Sequence, residues 1–431
     1  MERTLAIVFV ALLSGLFDRC SRRTETPPEP SPAPEITPSP AKSPPMVYVP
    51  SKRMETAKLF NGIEVHATVD TEFGETATKE RSSSSSYALE LQVKVKAPVA
   101  NKTLDEIRRL NPDLPAVLTG LETMLAAAKV SPFFENLYRL KIGVIQQNLV
   151  RLDALPSRHN FYDCETILEL QDAKTKRRAL LVQADMDVDM DGSDGDRVPV
   201  MEAGWTTFQP MTSYMWTKTT TTPNPFLAAR EEKLKQLEAT AKNGAGAQAE
   251  ARAAIPAVRY EVNEMKKNSF LVSNADPYIA LPSSMFPRNG DALAPKLGDF
   301  CVVIFKKTIY PAIIGDVGPS YKIGEASLRL SKQINAAATA NNRPVSDLKV
   351  TYLIFPDTAE KPFAAPDLEK WNRRCAELLT ELGGYKGELF AWEDITKPSP
   401  TPTPSPSVSP SADVSAAPSV SAVQSSASPS P

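Results

Sequence analysis

Proline sets the outer limits of what this chain can fold. Its 39 prolines concentrate at the two ends of 431 residues. Residues 24–50, "TETPPEPSPAPEITPSPAKSPPMVYVP", and the Ser/Thr/Pro-rich stretch from about residue 396 lack the apolar surface that offsets the entropy of folding. They read as spacers or plain disordered ends, with a linker over 21–50 and a tail over 397–431. Folded material is expected between them, where a composition of 42% apolar and 23% charged residues is ordinary for a globular protein. The net charge of −2 excludes a general nucleic-acid binder, which needs a basic excess to neutralise phosphates.

The first twenty residues, "MERTLAIVFVALLSGLFDRC", place Arg3 ahead of an apolar run from Leu5 to Phe17. The run is short for a membrane span and suits a secretory signal or an N-terminal anchor, so a secreted or envelope-associated protein is expected. Cys20 follows Phe17-Asp18-Arg19, whereas a lipidation signal has small uncharged residues there, so a leader without lipid is the expectation. Cys164, Cys301 and Cys375 allow at most one internal disulfide. With only His66 and His159 in the chain, a multi-histidine metal centre is excluded, and no cofactor is assigned.

A small α+β region is expected over 51–155. "IEVHATVD" and "YALELQVKVKAP" read as strands, Thr103 as the cap of "LDEIRRL", Pro115 as the start of "AVLTGLETMLAAAK", and Pro132 as the start of "FFENLYRLKIGVIQQNLVRL". From 156 to 396 the pattern changes to short strands: "CETILELQDA", "RRALLVQADMDVDM", "DPYIALP", a hairpin over 300–314 and "LKVTYLIFP". Short strands with irregular connections predict a barrel or sandwich. Residues 226–254 interrupt them as two helical pieces hinged at Gly244 and Gly246, and "DLEKWNRRCAELLTEL" predicts a last helix stopped by Gly383-Gly384.

Two groups of acids invite chemistry. In "ADMDVDMDGSDGD", Asp185, Asp187 and Asp189 alternate and so share one strand face, a ladder of like charges that calls for a cation. A solvated acidic loop, a cationic substrate and calcium all answer to it. Asp187-Asp189-Asp191-Gly192 opens like an EF-hand loop, yet Val198 stands where the bidentate glutamate belongs. The second group is Asp316, expected at the mouth of the hairpin, and Glu325. Nine extended steps at about 3.3 Å would hold them about 30 Å apart, but Gly318-Pro319 supplies a turn and Gly324 a second permissive point. Such a pair fits glycoside hydrolysis, in which one carboxyl protonates the leaving oxygen and another activates water or attacks. Loop capping or salt bridging is the structural alternative.

"GDVGPSYKIGEAS", residues 315–327, resembles the signature of the fungal-type chitosanases of glycoside hydrolase family 75. There an Asp-x-Gly-Pro turn precedes Ile-Gly-Glu-Ala-Ser, and its Asp and Glu are the catalytic pair, matching Asp316 and Glu325. "DMDVDMDG", "DPYIALPSSMF", "LGDFCVVIF" and "VTYLIFP" are similar to further strands of the family, with Met190 where a cysteine is expected. The resemblance covers about 160–356. It implies an α+β, mainly β architecture with a double-psi-type barrel, and inverting cleavage of β-1,4 links in chitosan or a related amino-sugar polysaccharide. Asp185, Asp187 and Asp189 are then expected to attract protonated amines. Tyr321, with Tyr214, Trp216 and Tyr278, is a candidate for stacking on sugar rings. Glu325 is expected as the acid, its pKa raised by Ile323 and Ala326, and Asp316 as the base, though the roles can exchange. The rivals are another amino-sugar glycan as substrate, or a glycan-binding or calcium-stabilised structural protein without turnover.

Overall fold

Six strands close on themselves in one barrel. The computed structural model describes residues 76–82, 93–151, 153, 155–193, 197, 208–243, 247–286, 293–340 and 344–396. The residues expected as a leader, both proline-rich flanks, the strand expected at 63–70, Gly244 and Gly246 lie outside the described residues. The strands are β1 (Lys129–Val130), β2 (Cys164–Gln171), β3 (Arg178–Asp189), β4 (Met215–Thr217), β5 (Asn268–Phe270), β6 (Tyr278–Pro282), β7 (Phe300–Phe305), β8 (Thr308–Gly318), β9 (Glu325–Ser327), β10 (Val345–Ile354) and β11 (Glu388–Leu389). The order β3-β10-β7-β8-β6-β9 returns to β3, giving a closed six-stranded barrel. β6–β8 and β3–β9 pair in parallel and the other four pairs are antiparallel. β1 and β2 extend the sheet beyond β3, while β4 and β5 form a separate ribbon.

Burial on both faces explains why β3, β7 and β10 read as nearly continuous apolar runs. Leu180, Ile354, Cys301 and Ala312 form one buried row across the sheet, and Leu181, Leu353, Val302 and Pro311 the next. β7 and β8 make the expected hairpin, closed by Lys306 and Lys307 with Lys306 at a φ of 55°. Cys164, Cys301 and Cys375 are buried free thiols. Met190 is half-buried against Val272 and Ala275.

Thr103 and Glu106 form the reciprocal capping box that starts the helix Leu104–Leu110. The helix expected from Pro115 is two pieces, Leu114–Val117 and Leu121–Ala127. Tertiary contacts explain the break: Leu118 bridges to Tyr385, the Thr119 amide donates to Gly384, and Gly120 lies against Gly383. The Pro132–Arg151 helix forms as expected. Residues 93–98, expected in a strand, make no ladder, because β1 and the Ser131 and Asn101 amides already take the β2 edge. Side chains of the 104–151 helices and of the barrel share one core, tied by a hydrogen bond from Gln183 to the Ile107 carbonyl.

Two helices, Leu227–Asn243 and Gln248–Lys267, make the excursion between β4 and β5. The second outruns the expected end at 254 and carries Pro256 within it, because Ala251, Val258, Val262 and Met265 continue a buried stripe. Ion pairs Arg230–Glu261, Arg259–Glu238 and Lys266–Glu231 join the two. Asp367 caps the last helix, Leu368–Glu381, and Gly383 and Gly384 at φ of 98° and 89° end it.

Candidate active site

A one-residue bulge decides which way Asp316 points. β8 continues past the hairpin to Gly318, so Asp316 lies within a strand and not at the hairpin mouth. Ile314 faces Ile279 on β6, but Asp316 faces Ala280, leaving Gly315 as the extra residue. Gly315 is suited to it, since a Cβ there would lie 2.6 Å from Tyr278. Without the bulge, Asp316 would move to the opposite face of the sheet. The chain then reverses at Pro319, whose carbonyl accepts from the Lys322 amide at 3.2 Å. Gly324, at a φ of 83°, packs so closely on the Asp185 carbonyl that a Cβ would sit 2.5 Å from its oxygen. β9 begins at the next residue, Glu325.

The return brings the two acids into one row. Asp316 faces Ala280, Ala280 faces Glu325, and Glu325 faces Asp187, so all four side chains leave the same face on β8, β6, β9 and β3. The alternate row, Ile314, Ile279, Ala326 and Val188, leaves the other face toward apolar surroundings. Two strand spacings separate the backbones of Asp316 and Glu325, about 9–10 Å. The Glu325 carboxylate reaches back over β8, where a Cβ on Gly318 would lie 2.7 Å from its Oε2. Gly318→Ala is therefore expected to push a flexible carboxylate aside and leave the backbone in place: melting within about 1 kcal/mol of wild type, but activity reduced by about 10²-fold. Parallel melting and turnover measurements check this.

Charge is concentrated here. Asp316 is 6% exposed and accepts a hydrogen bond from Ser213 at 3.2 Å. Burial, then the charge of Asp191, pushes its carboxyl up to about 8. Asp189 is driven well above the usual carboxylate range by burial and then by Asp316 and Glu325. Its Oδ1 accepts from the Asp191 amide at 2.9 Å. Asp191 is raised to about 8 by burial and then by Asp189. Glu325 is ion-paired with Lys322, which also lies 3.4 Å from Asp187. Burial opposes the charge on Lys322, but Glu325 and Asp187 outweigh it and raise its pKa.

The three acids of the ladder share a strand face but not an environment. Asp185 is 1% exposed and in close contact with the His159 imidazole, and the Tyr352 hydroxyl holds its carbonyl at 2.8 Å. Asp187 lines a cleft, and Asp189 lies beside Asp316 and Glu325. Among the described residues no group of three or more His, Cys, Asp or Glu side chains is arranged to hold a metal ion. Asp194, Asp196 and Val198 lie outside them. Tyr321 is 38% exposed on the cleft, whereas Tyr214, Trp216 and Tyr278 are buried. Sequence reading passed over Lys322 and Ser213. Lys322 stands three residues before Glu325 in the motif, a signal that was available, but Ser213 reaches Asp316 only through the fold.

Residues 186–384 match the family model described as fungal chitosanase of glycosyl hydrolase group 75. None of the curated proteins matches the chain.

Proposed function

We propose, on the match of residues 186–384 to the fungal chitosanases of glycosyl hydrolase group 75, a family of glycoside hydrolases acting on a polysaccharide, that this enzyme cleaves β-1,4 links between glucosamine units by inversion, with Asp316 as proton donor and Glu325 as base. The observation that carries this reading is the shared row. Two acids on one face, their backbones two strands apart, can flank one glycosidic bond as the carboxyl pair of a glycoside hydrolase must, and inversion is the outcome the family resemblance implies.

The roles follow from the surroundings and reverse the order expected from sequence. A carboxyl raised to about 8 holds its proton at the mildly acidic pH where chitosan is soluble and charged, so Asp316 can protonate the glycosidic oxygen. Glu325, set against the Lys322 ammonium, is the partner that accepts a proton from water. Ser213 orients the Asp316 carboxyl. Asp189, whose pKa is raised by burial and then by Asp316 and Glu325, meets the sugar at the reaction centre as a hydrogen-bonding group and not as a fixed charge. Asp185 would act through His159, not by touching sugar. The apolar run Leu5–Phe17 supports export, which would bring the enzyme to such a polymer outside the cell.

The test is release of reducing ends. Chitosan is expected to yield them and fully acetylated chitin is not. Cleavage of neither, with intact folding, would favour the glycan-binding alternative.

A further inference from the structure

We propose that residues 132–163, which precede the family match, complete a sugar-binding subsite next to the catalytic pair, and that this subsite takes an uncharged, N-acetylated unit of the polymer. The proposal rests on the reading of the enzyme as a chitosan hydrolase. It starts from a cleft of about 420 Å³, within the roughly 300–1,000 Å³ span of small-ligand sites. One side consists of Asp187, Tyr321 and Lys322. Lys322 also pairs with Glu325, so this end of the cleft lies one side chain away from the candidate catalytic carboxylate, which does not itself line it.

The opposite side comes from outside the matched domain. Val144 and Asn148, one turn apart on the Pro132–Arg151 helix, face Ser157 and Asn160 in the segment leading to β2. Because the helix shares the barrel core through Leu137, Tyr138 and Ile145, this wall is fixed in place. Tyr138 adds a hydrogen bond to the Cys164 carbonyl at 2.6 Å.

Charge balance selects the occupant. Both acids that line the cleft already face a lysine: Asp163 receives Lys141 at 2.7 Å, and Asp187 has Lys322 at 3.4 Å. A glucosamine ammonium would have to displace a lysine to gain a counter-charge there. Hydroxyl and acetamide groups instead meet amide and hydroxyl side chains, the acetyl methyl meets Val144 and Leu155, and the exposed ring of Tyr321 offers a face to the sugar. The subsite thus complements the acid-rich catalytic row: the cleaved linkage joins charged units, while a neighbouring unit is neutral.

Val144→Trp in the full-length chain, assayed on the glucosamine hexamer and on the same hexamer carrying a single N-acetyl group, tests the subsite. The indole should raise KM for the acetylated hexamer at least about tenfold and leave the deacetylated one within about twofold. Asn148→Trp, on the next turn, should do the same and serves if Val144→Trp fails to fold. Unchanged KM on both hexamers, or equal losses on both, would overturn the proposal. A wild type that cleaves neither hexamer would instead sink the hydrolase reading, which separates the two failures.

Discussion

Asp316→Asn is expected to lower kcat on chitosan by about 10²–10⁴-fold while making the protein more stable than wild type at pH 8. The two effects share one cause. Asp316 is buried beside Asp191, and its carboxyl is raised to about 8, against roughly 3.9 in an unfolded chain. Between those values the native state keeps a proton that the unfolded state has released. The stability tied to this group is therefore complete below about pH 4 and declines as pH rises toward 8, by on the order of a few kcal/mol. Asparagine fits the same space, still accepts from Ser213 and cannot ionise, so it removes that decline together with the acid. Melting of both proteins at pH 4 and pH 8, beside turnover, checks the prediction. Near-wild-type turnover, or an unchanged pH dependence of melting, would contradict it. An activated aryl glycoside, whose leaving group departs without protonation, should recover much of the lost rate in the variant.

Glu325→Gln should cost a similar factor of about 10²–10⁴ for the complementary reason, loss of the group proposed to accept a proton from water. Lys322 would then keep Asp187 as its carboxylate partner. Glu325→Ala opens space beside Gly318, and azide there is expected to attack the anomeric carbon and restore turnover as a glycosyl azide. Asp316→Ala should not respond to azide. The opposite pattern would return the acid role to Glu325, as the sequence alone suggested. The assignment of roles therefore has a chemical readout independent of the loss of rate.

The parts of this site that sequence conveys are local ones. Gly318-Pro319 and Gly324 announce a reversal, the β7–β8 hairpin follows from two apolar runs about a pair of lysines, and Thr103 with Glu106 spells out its cap. What sequence could not convey depends on neighbours distant in the chain. The bulge at Gly315 exists because β6 slots between β8 and β9, a pairing no local pattern encodes. Ile323 and Ala326 looked like the apolar setting of Glu325, but Ala326 leaves the opposite face, and Lys322 is the residue that meets the carboxylate. Alternation correctly put Asp185, Asp187 and Asp189 on one face, yet His159, Lys322 and Asp316 give each a different environment. The broken 114–127 helix and the lengthened 248–267 helix have the same origin, tertiary packing overriding local propensity.

The most direct measurement is the anomeric configuration of newly formed reducing ends, followed by proton NMR from the first seconds of hydrolysis of a glucosamine hexamer. The proposed inversion, with water entering between the two carboxyls, predicts that the α-anomer appears first and mutarotates to the equilibrium mixture. Initial β-anomer would mean a covalent intermediate and would contradict the roles proposed for Asp316 and Glu325.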